Sequence, residues 1–475
     1  MSTWWLLQSH LTATLLISIL AAVLGSLQIG YHTGNINAPA KVSKSISRHN
    51  ASMPDHSLTL LWSLSVSIKD FGALLGSLGV KYLADTYGRR NSILIVNCLS
   101  VVGACLMFLS KASESFEVLI LGRLVFGLFC GLVMSLNPLY IQEVSPTNLR
   151  GAFATLNQVS FASGILMGMV AGLETLLGTE HNWAMMLSLS LIPALLQYLL
   201  LPFCPESPRF LLINRGVEDK AQTGESLLRL RGNVDKVQTE LEEMKEEAAH
   251  TQSAVTIHDF FRKRSYRQPI IIVLIVNLGS QLSGFNAIIN YSTKMFQAKF
   301  DEAKYLTLGV GAVNVTFTLV AVSNVSATDC FLLRQHITQS HHFSLRSLQV
   351  LLVFCLISAY ELGPGPISWF IAAELFDQPS RPIAMAFTSM LNWGGNVFPF
   401  CLPHKQKILG AYVYLLFMMV ALLAFILTWI RLPETKGRTF DDIAEEFRGA
   451  EEKKKNYQTQ KLTPTIQILN SKIYQ

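Results

Sequence analysis

Two octapeptides decide how this chain is read: Glu143-Val-Ser-Pro-Thr-Asn-Leu-Arg150 and Glu374-Leu-Phe-Asp-Gln-Pro-Ser-Arg381. Each opens on a glutamate and closes on an arginine seven residues later. The first is followed, 62 residues after Glu143, by Pro205-Glu206-Ser207-Pro208-Arg209; the second, 59 residues after Glu374, by Pro433-Glu434-Thr435-Lys436-Gly437-Arg438. Matched acid–base pairs trailed at nearly equal distance by matched Pro-Glu motifs mark an internal repeat.

Around these motifs the chain is apolar. Runs near 11–32, 60–82, 93–109, 118–141, 152–175 and 183–203, and again near 269–291, 305–322, 348–373, 383–402 and 410–431, have about the length that crosses a bilayer. The 475 residues are 50% hydrophobic and 15% charged, with a mean hydropathy of +0.36, whereas a soluble domain carries about 25% charge. Of the 70 charged residues, 37 fall within Pro205–Gln268 and Leu432–Gln475. We therefore expect an all-α polytopic membrane protein. Its parts are an N-terminal six-helix half (1–204), a cytoplasmic helical linker (205–268), a C-terminal half (269–431) and a cytoplasmic tail (432–475).

The same arithmetic excludes other classes. A net charge of +6 without a basic stripe leaves no nucleic-acid footprint. No nucleophile–base constellation suggests an enzyme. The cysteines stand singly in mostly apolar runs and lack metal-ligand spacing. His336, His341 and His342, with Asp329 and Cys330, read as loop residues rather than a metal site, and no cofactor is implied. The first apolar run lacks a basic start, so it reads as a span rather than a cleaved signal.

Arg89, Arg90, Arg150 and the block after the sixth run place those turns on the cytoplasmic side. The loop 34–59 then faces outward, with the glycosylation acceptor Asn50-Ala51-Ser52. Acid–base pairs at cytoplasmic helix ends can clamp two halves that rock apart; solvated, each is worth about 1 kcal/mol or less. Within 125–132, Gly127 and Gly131 have the small-residue spacing of closely packed membrane helices. Val237, Leu241 and Met244 form the apolar stripe of a linker helix.

Further motifs carry a resemblance. Asp85-Thr86-Tyr87-Gly88-Arg89-Arg90 looks like the loop motif of the major facilitator superfamily, and the two Pro-Glu motifs resemble sugar-porter signatures. Gln281-Leu282-Ser283-Gly284-Phe285-Asn286 and Gly363-Pro364-Gly365-Pro366-Ile367-Ser368-Trp369 are similar to the facilitative hexose transporters, in the class of the erythrocyte, liver, neuronal and insulin-responsive glucose transporters. The resemblance implies the major facilitator fold of two six-helix halves and uniport of glucose or fructose by alternating access at the plasma membrane. It implies that Gln158, Gln281, Asn286, Asn314, Glu361, Trp369 and Asn392 contact the sugar. It also implies that Asp85, Arg89, Arg90, Glu143, Arg150, Glu206, Arg209, Glu374, Arg381, Glu434 and Arg438 form the cytoplasmic gate. Amides suit hydroxyls because each both donates and accepts, and an indole covers the C–H face of a sugar. Thr12–Tyr31 has no Asp or Glu, where similar proton–sugar symporters place an acid, which favours uniport.

The chain departs from the family at Ser280, at Asn277-Leu278-Gly279 and at Ser368, which stand where the family has glutamine, Gln-Leu-Ser and proline. The polar stretch 323–347 replaces a second Gly-Arg-Arg turn and a whole span, so the second half is expected to lack one span. Both termini are cytoplasmic only if that odd count is resolved. A second reading stays open: a non-transporting relative that acts through association.

Overall fold

In the computed structural model, the residues described are 12–35, 55–179, 181–215, 220–250, 255–286, 303–323, 345–397 and 412–433, with isolated positions between and beyond them. The region 324–344, on which the expected missing span turns, lies outside them, as do Asn50, Glu434 and the three loop histidines.

The described residues fold as helices. Before the linker these are α1 (Ala13–Gly34), α2 (Asp55–Ser77), α3 (Val80–Tyr87), α4 (Arg89–Ala112), α5 (Phe116–Val144), α6 (Arg150–Ala171), α7 (Trp183–Ser188) and α8 (Leu191–Leu200). The linker supplies α9 (Lys220–Arg231), α10 (Val234–His250) and α11 (Ile257–Arg262). Then follow α12 (Arg267–Gln281), α13 (Ala303–Ser323), α14 (Leu345–Leu362), α15 (Pro364–Leu375), α16 (Arg381–Val397) and α17 (Tyr412–Arg431). Six segments among the described residues are long and apolar enough to cross a membrane: α1, α4, α5, 147–171, 183–203 and 303–322.

Local sequence explains several ends. Thr12 caps α1 by accepting the Leu15 N–H, and Ser115 caps α5 by accepting that of Val118. Gly363-Pro364 separates α14 from α15, with proline in the first turn, where its missing N–H costs nothing.

Glycines set the helix spacing. A methyl on Gly131 would lie 1.9 Å from the Ala73 carbonyl oxygen, and one on Gly127 would lie 2.2 Å from that of Lys69. Gly72 and Gly76 answer from α2, 2.5 and 2.3 Å from the Leu124 and Leu128 carbonyls. Two backbones therefore touch where lipid offers no hydrophobic drive and close dispersion contact must hold helices together. Gly30 and Gly34 of α1 meet Phe161 and Ile165 of α6 in the same way.

The broadest contacts between early and late helices are α6 on α13 and α2 on α16, with α5 also packing on α15 and α16. α2 and α13 are each the second apolar run of their half. The linker folds its stripe inward, with Leu212, Leu227 and Met244 buried together and Val237 and Leu241 against them.

Candidate functional site

One end of the bundle is closed by a buried charge network. Gly88 has φ of +88°, and a methyl there would sit 2.6 Å from Glu206 Oε2, so glycine is needed on both counts. The turn frees the first N–H groups of α4, and Glu206 Oε1 accepts those of Arg89 and Arg90 at 2.8 and 3.0 Å. A carboxylate at a helix N-terminus is favoured by the helix dipole. Glu206, at the start of the linker, is thus a helix cap for α4.

The Arg89 side chain points inward, its Nε 2.9 Å from Glu143 Oε2, with neither side chain exposed. Glu143 Oε1 accepts from Gln378 Nε2 at 2.9 Å and lies 3.8 Å from Arg381 Nη1. Arg381 is held in turn by the Phe376 carbonyl and Gln378. Reciprocally, Arg150 of the first octapeptide lies within Coulombic reach of Glu374 of the second. The acids and bases of the repeat thus meet across the two halves. Because the Glu143 network is dry, the solvated figure of about 1 kcal/mol does not apply; breaking one partner of a buried pair costs about 3–5 kcal/mol.

The linker joins this network. Glu247 of α10 accepts from Arg209 and lies 3.9 Å from Arg381 Nη2. Burial and then the nearby Arg381 guanidinium pull Arg209 down to about 10, so it stays charged at neutral pH. Arg231 grips Glu240 through two bonds of 2.7 Å and donates to the Val144 carbonyl at 2.8 Å. Of the other expected gate residues, Arg90 donates to the Cys204 carbonyl and Asn91. Asp85 pairs with Lys81 on its own helix at 2.7 Å, and Arg438 is half-buried.

Neutral contacts finish the closure. Ser77 and Ser389 hydroxyls meet at 2.7 Å, Ser135 donates to the Met385 carbonyl at 3.1 Å, and Gln142 to that of Phe370 at 3.2 Å. At the opposite end Lys304 and Glu174 pair at 2.8 Å with both side chains about half exposed, a contact of little energetic weight.

Between the ends lies a cavity. Gln158, Gln281, Asn286 and Trp369, four of the seven expected sugar contacts, line it. Gln281 Nε2 donates to Asn392 Oδ1 and its Oε1 accepts from Asn286 Nδ2, both at 2.6 Å; Asn392 continues to Asn277 Oδ1 at 2.6 Å. Gln158 Nε2 donates to Glu361 Oε2 at 3.1 Å, and Thr318 donates to the same oxygen at 3.0 Å. Asn392 and Glu361 therefore stand behind the wall and orient the amides in it. Asn314 is fully buried, and its amide has no hydrogen-bond partner among the described residues.

Sequence reasoning missed part of the wall. Lys69 and Asp70 of α2, Tyr360 of α14 and Trp393 of α16 also line the cavity. The signal was present, because Lys69 and Asp70 interrupt an apolar run, where charge is costly. Trp369 and Trp393 stand 6.2 Å apart, and Phe285 stacks on Tyr360 at 3.8 Å. Among the described residues, Gln158 Oε1 and the Trp393 indole N–H have no hydrogen-bond partner.

Residues 18–447 match the family model of the sugar (and other) transporters. The chain belongs to this family. It is 44% identical over 471 residues to the human solute carrier family 2, facilitated glucose transporter member 3, covering 92% of this chain and 93% of that protein. The dog counterpart is 43% identical over 469 residues, covering 92% and 93%. Among solved structures, the proton:xylose symporter XylE bound to 6-bromo-6-deoxy-D-glucose superposes with a TM-score of 0.77 at 22% identity, over 92% of this chain and 99% of that one. Inward-open XylE from E. coli superposes less well, at 0.65 and 23% identity, over 90% and 98%. The fold is therefore that of the major facilitator superfamily, and this is a multi-pass membrane sugar transporter.

Proposed function

We propose that this protein is a facilitative carrier of a neutral hexose, glucose foremost, working by alternating access at the plasma membrane. The observation that carries the reading is the amide-lined cavity at the meeting of the two repeats, sealed at one end by the Glu143–Arg89–Arg381 network. Gln158, Gln281, Asn286 and Trp369 contact the sugar directly, and Asn392 and Glu361 support them from behind. Amides already bonded to one another can exchange those bonds for hydroxyls at small net cost, which suits a ligand that must also leave. Millimolar binding needs only about −4 kcal/mol, within reach of a few hydrogen bonds and a stacked indole. The 44% identity to a protein named a facilitated glucose transporter supports the same substrate.

In this reading, rocking of residues 1–204 against 269–431 breaks the cytoplasmic network, with the linker 205–268 following through Glu247. Both termini lie in the cytoplasm and Asn50 faces outward. Purified full-length protein in proteoliposomes should show saturable, protein-dependent exchange of labelled glucose that unlabelled glucose inhibits. Absence of exchange from correctly inserted protein would overturn the proposal. Comparing fructose in the same assay decides the second sugar.

A further inference from the structure

Lys69 and Asp70 lie mid-helix in α2, are 6% and 8% exposed, and are the charged residues among those lining the cavity. Lys69 Nζ is 3.4 Å from Asp70 Oδ1, donates to Thr33 Oγ1 at 3.2 Å, and stands 5.6 Å from the centre of the Trp393 ring. The pair cannot turn away from the cavity by sliding α2 on α5. The Lys69 carbonyl is already against Gly127, and Gly72 is against Leu124. Behind the wall, Arg123 of α5 is 2% exposed and within Coulombic reach of Asp70. On α1, His32 is bonded to Ser190 and lies against Phe126.

An ion pair here costs desolvation that a pair of apolar residues would avoid. What it supplies to the cavity is a strong acceptor and a strong donor side by side, with zero net charge in the wall. Charge-assisted hydrogen bonds are roughly twice as strong as neutral ones. The amides of Gln281 and Asn286 come from the second half of the chain, whereas Lys69 and Asp70 come from the first. The Trp393 indole N–H, beside Lys69 and without a hydrogen-bond partner among the described residues, adds another donor.

We propose that Lys69 and Asp70 form a second sugar-recognition wall, in which Asp70 accepts from, and Lys69 donates to, hydroxyls of a neutral hexose. A hexuronate, whose carboxylate would meet Asp70, is disfavoured by the same wall. The inference rests on the hexose-carrier reading and deepens it.

The test uses full-length protein in lipid nanodiscs and proteoliposomes. Tryptophan fluorescence, sensitive to ligand beside Trp369 and Trp393, is titrated with glucose and with glucuronate, and glucose exchange is measured in parallel. Asp70→Asn should raise the half-saturating glucose concentration and the KM about tenfold, with the maximal rate within about twofold. It should also narrow the preference for glucose over glucuronate, which a merely structural role would not move. The triple variant Lys69→Met/Asp70→Leu/Arg123→Met removes all three of these charges together and keeps the test valid if Asp70→Asn fails to fold; it too should lose glucose affinity. Unchanged affinity and preference in whichever variant folds would reduce the pair to a packing element and overturn the proposal, while leaving the carrier reading intact. Absence of both exchange and a glucose-dependent signal in the wild type would overturn the two together.

Discussion

Glu143 of α5 and Arg381 of α16 face each other at 3.8 Å with neither side chain exposed, although 238 residues separate them in the chain. Arg89 holds the other oxygen of the same carboxylate at 2.9 Å. One acid thus ties two guanidinium groups from opposite halves of the repeat, and Arg150 lies within Coulombic reach of Glu374. A junction of this kind is stiff while dry and loses its strength once water enters, which is what a gate between two states requires.

Replacing Glu143 with glutamine should open that end. Buried Arg89 would lose its counter-charge and Arg381 one of its carboxylates, a cost of about 3–5 kcal/mol to the closed state. A cysteine placed at the buried Ser380 should then be alkylated at least about tenfold faster by a membrane-impermeant reagent added on the side of the membrane that this end faces. An unchanged rate would mean that the neutral contacts alone hold the closure.

The glycine contact between α2 and α5 predicts a sharp contrast. Gly131→Val places a side chain where even a methyl comes within 1.9 Å of the Ala73 carbonyl. The folded state should lose about 3 kcal/mol or more, as overpacked sites do. Gly394→Ala is the matched control, because its methyl first meets a side-chain atom at 3.8 Å. Monodisperse yield and thermal unfolding in detergent should fall for the first variant and hold for the second.

Gln281 connects Asn286 to Asn392, so its loss strands two amides. Gln281→Ala should raise the KM for glucose exchange about tenfold or more, from about 1–3 kcal/mol of unmade hydrogen bonding, while reconstituted protein levels stay constant. Unaltered exchange kinetics would show that the sugar binds elsewhere.

Glu206 serves α4 rather than the opposite half. Glu206→Ala should lower thermal stability by about 1–2 kcal/mol through the lost cap. Glu206→Gln, which keeps an accepting oxygen, should lose less. A gate role without capping would make the two variants equal, because both remove the charge.

Much of the fold was legible because lipid leaves few options. An apolar run of spanning length must close its own backbone hydrogen bonds as a helix, and α1, α5 and α13 appear where their runs lie. The octapeptides were legible as a repeat, yet their spacing was silent on partners. Asp85, part of the loop motif, pairs locally with Lys81. Glu206 and Arg209, three residues apart in the chain, serve a helix cap and a linker helix respectively. The amide wall was half legible: Gln281 and Asn286 lie in a distinctive motif, but that Asn392 stands behind Gln281 depends on how α12 meets α16.

The sequence by itself determined that this is a helical membrane protein built on a repeat, with acids and bases at matched helix ends and amides inside its spans. Those features follow from composition, period and spacing, which are local. Only the tertiary structure decided that Glu143 meets Arg381, that Gln158 meets Glu361, and that Lys69 and Asp70 open onto the cavity rather than onto another helix. These outcomes depend on the rotation and depth at which one helix seats on another. Backbone contacts at residues such as Gly127 and Gly131 set that seating, and a linear reading of charge and hydropathy carries no record of which helix lies opposite.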